Sequence, residues 1–171
     1  MIACYGDSLT YGFGLVEGRK WIDLVNKKGY DLKNYGINGE TLLQIRQRVK
    51  RDAPQGRAFV MGGTNDFAMD LSVDLVFDVY QDLASYFSQR GVDALFGIPL
   101  PADSESYIQK SLALKLEDLH ERMLKAFPRE KLVDFYAAFS PYDDKYFFDD
   151  VHPNKLGAEK MAEVFLKEVD L

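Results

Sequence analysis

Met1-Ile2-Ala3-Cys4-Tyr5-Gly6-Asp7-Ser8-Leu9-Thr10-Tyr11-Gly12 opens the chain with an apolar run, residues 1–5, that breaks at Gly6 into a polar turn. A short apolar run ended by glycine reads as a buried strand. A serine at the end of such a strand sits where open α/β sheets build their sites, at the carboxyl edge of the strands. Gly-Asp-Ser is also ordinary turn chemistry. Taken alone, the stretch leaves Ser8 open as nucleophile, turn residue or helix cap.

Outward from this strand, the same pattern recurs. Residues 31–35, a short stretch ended by Gly36, and the runs at 58–61, 92–98 and 131–135 read as four further strands. Between them, helical spacing predicts helices over 19–28, from a Thr41 cap to about 51, over 73–89 and over 104–126. Pro128 lies just past the fourth, and Pro153-Asn154-Lys155 opens a last helix running to about 169. Strands alternating with amphipathic helices predict an α/β fold: a five-stranded parallel sheet with helices on both faces, three layers in all. No linker, repeat or composition break divides residues 1–171, which read as one domain.

Composition narrows the function classes. With 171 residues, 47% hydrophobic and 28% charged, the chain is an ordinary globular one with enough length for a sizeable core. A net charge of −6 argues against nucleic acid or an anionic membrane as the main partner. The single Cys4 lies in the first apolar run and reads as a core residue. No leader pattern or membrane-length apolar stretch is visible, which predicts a cytoplasmic location without stable membrane insertion. The sequence carries no signal of oligomeric state.

Polar residues gather where strands end. The first strand gives Gly6-Asp7-Ser8, the second Gly36-Ile37-Asn38-Gly39, the third Gly62-Gly63-Thr64-Asn65-Asp66. In a parallel sheet these loops share one edge, so Ser8, Gly39 and Asn65 converge. Asp149-Asp150-Val151-His152-Pro153 adds a base and a carboxylate before the last helix. A serine hydroxyl needs a base to take its proton, and imidazole is suited to that task near neutral pH. The imidazole in turn needs a carboxylate to fix its tautomer. The oxyanion formed on attack needs donors, which the Asn65 amide and the Ser8 and Gly39 N–H groups would supply. His152 is the imidazole in a loop; the other histidine, His120, lies in a charged helical stretch and reads as a surface residue. Each residue also has a plainer reading, the asparagines as turn formers and Asp149 and Asp150 as solvated charges or helix caps.

Together these blocks resemble the SGNH hydrolases, also called GDSL esterases/lipases. Gly6-Asp7-Ser8-Leu9-Thr10, Gly36-Ile37-Asn38-Gly39, Gly63-Thr64-Asn65-Asp66 and Asp149-Asp150-Val151-His152-Pro153 stand in the family's order over residues 6–153. The resemblance implies a flavodoxin-like fold and a serine ester hydrolase. In it Ser8 is the nucleophile, His152 the base and Asp149 its carboxylate, while Ser8, Gly39 and Asn65 form the oxyanion hole. The glycine often found after the block's aspartate is Asp150 here, which leaves Asp150 as the alternative partner of His152.

Rival patterns fit less well. Gly12-Phe13-Gly14-Leu15-Val16-Glu17-Gly18-Arg19-Lys20 fails both the P-loop and the dinucleotide glycine templates. A hard-cation reading on Asp143, Asp144, Asp149, Asp150 and His152 lacks EF-hand spacing. Neither cofactor nor metal is expected. A non-catalytic small-molecule binding module is the remaining class. Phe13, Phe67, Leu100 and Phe147, with Met69, Tyr107 and Phe148, are the candidates for lining an apolar substrate groove. The expected partner is a small-molecule ester, with a sugar acetate, a thioester or a lysophospholipid as alternatives.

Overall fold

A computed structural model describes residues 1–107 and 109–169. Five short strands form one parallel sheet: β1 Ile2–Gly6, β2 Leu32–Gly36, β3 Arg57–Met61, β4 Asp93–Ile98 and β5 Leu132–Asp134, in the order β2-β1-β3-β4-β5. The connections leave β1 in opposite directions, to β2 on one side and back across to β3 on the other. That reversal is the topological switch point at which open parallel sheets bind ligands.

Side chains alternate along each strand, so the sheet feeds two cores. Ala3 and Tyr5 of β1 with Ala58 and Val60 of β3 face α3 Leu42–Asp52, α5 Val73–Gln89 and α6 Lys110–Ala126. Ile2, Cys4, Phe59 and Met61 face the opposite way, onto α2 Trp21–Asn26 and α8 Lys155–Glu168. Sheets covered on both faces need continuous apolar strands, and β1, β3 and β4 have them. In the second core Trp21 touches the rings of Phe59, Phe135 and Phe165 at 5.2–5.8 Å between centroids. Its indole N–H donates to Leu9 O at 3.1 Å, which ties the core to the turn after β1.

Side chains bond part of each edge strand, a usual defence against unwanted strand pairing. The Asn26 amide brackets Leu32, donating to its carbonyl at 2.9 Å and accepting from its N–H at 2.7 Å. On β5, Arg129 donates to Leu132 O and Glu168 accepts from Asp134 N–H.

The structure departs from the sequence expectation in five places. Three short helices appear at strand ends: α1 Ser8–Tyr11, α4 Thr64–Ala68 and α7 Phe135–Phe139. One turn is too short to show a periodicity. The helix expected from residue 104 begins at Lys110, after local turns in which Asp103 accepts from Glu105 N–H and the Ser106 hydroxyl from Gln109 N–H. His120, expected at the surface, is largely buried: Nε2 lies 3.1 Å from Asp134 Oδ2 and the ring stacks on Tyr136 at 4.4 Å. Among the described residues no helix is long and apolar enough to cross a membrane.

Candidate active site

Ser8 is the first residue of α1, directly after β1. Asp7 caps the turn by accepting from Leu9 N–H at 2.9 Å, and Trp21 holds Leu9 from below. The turn is packed so closely that two glycines are obligatory. A Cβ on Gly6 would meet Thr10 Oγ1 at 2.0 Å and Met61 O at 2.7 Å; one on Gly36 would meet the backbone N of Tyr11 at 2.2 Å.

The exits of β1, β2 and β3 are laced together. Ile37 N–H donates to Gly6 O at 2.9 Å. The Asn65 side-chain amide donates to Glu40 O at 2.8 Å, and Asp66 Oδ2 accepts from Leu42 N–H at 2.8 Å. Beneath them the Tyr80 hydroxyl accepts from Gly62 N–H at 3.0 Å, with Gly62 O at 2.8 Å and Gly97 O at 3.1 Å as acceptors for its proton. Gly39 sits in the left-handed region at φ 78°, where glycine carries no steric penalty. Neither Ser8 N–H nor Gly39 N–H has a partner among the described residues, so both remain available as donors.

The fourth loop closes on itself before it reaches Ser8. Asp149 Oδ1 accepts from the N–H groups of Val151 at 2.9 Å and His152 at 2.6 Å. Its Oδ2 lies 2.8 Å from His152 Nδ1, and His152 Nε2 lies 2.9 Å from Ser8 Oγ. Asn154 caps α8 and its amide donates to Lys145 O and Phe147 O, pinning the loop to the helix start. Partial burial pushes the Asp149 carboxyl up, but the hydrogen bonds from the His152 N–H and ring and from Val151 N–H outweigh it. The net effect holds this carboxyl below its usual value. Asp150 faces elsewhere and accepts from the Gln109 amide at 3.2 Å. An imidazole bonded to a hydroxyl on one side and a carboxylate on the other can take the hydroxyl proton and stay charged while it holds it.

Two carboxyls lie buried behind this row. Burial pushes the Asp7 carboxyl up to about 7, against the lowering effect of Leu9 N–H and aided by the nearby Asp66 charge. Burial raises Asp66 as well. Asp7 Oδ2 is buried without a hydrogen-bond partner, as a neutral carboxyl tolerates better than a charged one.

Of the groove candidates, Phe13 and Phe148 stand at the site. Their ring centroids are 4.8 Å and 5.7 Å from that of His152, and both rings are exposed. Phe67 and Leu100 are buried in the two cores, where apolar side chains at strand ends find sheet-covering helices before they find solvent. Phe147 is also buried, with its ring stacked on Tyr142 at 4.7 Å. It borders a 230 Å³ cleft shared by Tyr142, Asp144, Phe148, Asp149 and Asp150. Met69 and Tyr107 are exposed. Among the acids of the cation reading, Asp143 pairs with Lys145 while Asp149 and Asp150 are bonded as above.

The family profile of GDSL-like lipases and acylhydrolases matches residues 4–160. The chain belongs to this family. A lipolytic G-D-S-L family protein from Veillonella parvula superposes with a TM-score of 0.84 at 28% identity, covering 97% of this chain and 96% of that one. The acetylxylan esterase Axe2 from Geobacillus stearothermophilus shares the fold with a TM-score of 0.76 at 18% identity, over 99% of this chain and 94% of its own. In sequence, an acetylxylan esterase of Xylanibacter ruminicola is 25% identical over 95% of this chain. The match takes in 42% of that relative, so the chain spans less than half of its length.

Sequence reasoning missed one feature of the site. Arg48 and Glu40 form a buried ion pair behind the Gly39 loop. Its signal was present: Arg48 occupies the apolar stripe of α3, between the buried Ile45 and Val49.

Proposed function

We propose that the chain hydrolyses carboxylic esters of small molecules through an acyl-enzyme on Ser8. The observation that carries this reading is the unbroken row from Ser8 Oγ to His152 Nε2 and from His152 Nδ1 to Asp149 Oδ2, at 2.9 and 2.8 Å. Oγ attacks the ester carbonyl as Nε2 takes its proton, and Asp149 stabilises the imidazolium. The carbonyl oxygen, now an anion, is received by Ser8 N–H, Gly39 N–H and the second amide hydrogen of Asn65, the first being held by Glu40 O. His152 returns its proton to the departing alcohol. Water, deprotonated by the same nitrogen, then releases the acid and restores Ser8.

Within that reaction, sugar acetates are favoured as substrates. The cleft beside Asp149 combines the Tyr142 and Phe148 rings with the carboxylates of Asp144 and Asp150. Rings that stack on a sugar face and carboxylates that accept from hydroxyls suit a polyol leaving group. Proteins of similar sequence and fold include acetylxylan esterases.

The test uses p-nitrophenyl acetate, acetylated xylo-oligosaccharides and a fluorophosphonate, comparing wild type with Ser8→Ala. Turnover and one covalent adduct in wild type, both lost in Ser8→Ala, are expected. A wild type that neither turns over an ester nor takes the label overturns the reading. Preference for long-acyl esters over sugar acetates overturns the substrate assignment alone.

A further inference from the structure

Gly39 has a feature that makes its role as a donor depend on something outside itself. Its φ is 78° and, apart from its chain neighbours, no heavy atom lies within 4 Å of where a Cβ would stand, so no packed side chain braces it on that side. Its neighbour Glu40 is fixed. The Glu40 carboxylate is gripped by Arg48 through Nε at 3.2 Å to both oxygens and Nη2 at 2.5 Å to Oε2. The guanidinium is buried, lies 5.2 Å over the Tyr5 ring, and reaches Gly6 O through Nη2 at 3.4 Å. Glu40 O is the acceptor that holds the Asn65 amide.

We propose that Arg48 is a positioning residue, which through Glu40 sets the orientation of the Gly39 N–H and the Asn65 amide relative to Ser8. The inference rests on the ester-hydrolase reading above. A forked guanidinium–carboxylate contact fixes direction as well as distance, which a lysine could not do. Here the fork joins the exits of three strands: Gly6 two residues before Ser8, Glu40 beside Gly39, and Asn65 through Glu40 O. A buried ion pair adds little stability over an apolar replacement; what this one supplies is geometry. Donors act on an oxyanion only when aimed at it, and a displacement of about 1 Å costs on the order of 100-fold.

The test compares wild type, Arg48→Met, Arg48→Lys and Glu40→Gln. Turnover of p-nitrophenyl acetate is counted per serine titrated with fluorophosphonate, so that misfolded protein does not enter the rate. We expect Arg48→Met to lose about 10- to 100-fold in kcat with KM within about threefold, and Glu40→Gln, which keeps an acceptor for the fork, to lose less. Arg48→Lys should resemble Arg48→Met. In an Asn65→Ala background, Arg48→Met should cost less than it does alone, because one of the donors it aims is gone. Independently of turnover, the backbone amide resonance of Gly39 and the side-chain amide of Asn65 should shift and broaden in Arg48→Met. Unchanged kcat per titrated serine, a loss confined to KM, or unchanged Gly39 and Asn65 resonances overturns the proposal. A wild type without esterase activity defeats the functional reading, and the resonances still decide the positioning role.

Discussion

His152 Nε2 lies 2.9 Å from Ser8 Oγ across 144 positions of the chain. The contact joins the turn after the first strand to the loop before the last helix, so it exists only when the whole sheet has been assembled.

The neighbouring acids should separate sharply on substitution. Asp149→Asn should lower kcat by about 10³–10⁴, because an amide cannot stabilise the imidazolium and favours the wrong tautomer. Asp150→Asn, at a carboxylate that accepts from the Gln109 amide rather than from His152, should change kcat on this small ester by less than about fivefold. Steady-state kinetics on p-nitrophenyl acetate decides between them.

Asp7 should make stability fall as the solution becomes more alkaline. Its carboxyl is raised from 3.8 to about 7 in the folded protein, so the folded state holds a proton that the unfolded chain releases. The stabilisation is complete below pH ~4 and is lost as pH rises through about 7, a difference on the order of a few kcal/mol. Asp7→Asn keeps the acceptor for Leu9 N–H and should flatten the change in urea midpoint between pH 5 and pH 8. An equal slope in wild type and variant would count against a raised Asp7.

Tyr80→Phe removes the hydroxyl that brackets Gly62. It leaves a buried N–H without a partner and should cost about 1–3 kcal/mol in chemical denaturation. Activity should fall further than stability predicts, since Gly62 leads into the Asn65 helix.

Gly36→Ala and Gly39→Ala test two different reasons for glycine. At Gly36 the new methyl meets Tyr11 backbone at 2.2 Å, and the turn bearing Ser8 must move, with a loss of about 1–3 kcal/mol or more. At Gly39 there is open space, and the cost is the left-handed backbone alone, about 1–2 kcal/mol. Thermal melts of both variants should show the larger drop in Gly36→Ala.

Much of the fold was legible because its signal is local. Apolar runs such as Ala58-Phe59-Val60-Met61, ended by Gly62, announce buried parallel strands without reference to any other residue. Strand-end position then made Ser8, Gly39 and Asn65 candidates, since every loop after a parallel strand leaves on the same edge. The loop before the last helix offered His152 with Asp149 and Asp150 beside it, and the resemblance to the family's blocks favoured Asp149.

Other features depend on neighbours distant in sequence, and there the sequence was mute or misleading. His120 looked like a surface residue amid Glu117, Asp118, Glu121 and Arg122, yet Asp134 and Tyr136 draw it inward. Phe67 and Leu100 looked like groove lining, yet the cores take them. The choice between Asp149 and Asp150 required the turn that folds one carboxylate back onto His152 and sends the other toward Gln109.

The sequence by itself determined the layers, the strand edge at which chemistry would gather, and the residue types gathered there, because periodicity and chain order are one-dimensional properties. Only the tertiary structure decided which carboxylate meets the imidazole, which rings border it and what holds the Gly39 loop. Those depend on distances of a few ångströms between side chains, such as Arg48 and Glu40 behind Ser8, that only the packed sheet brings together.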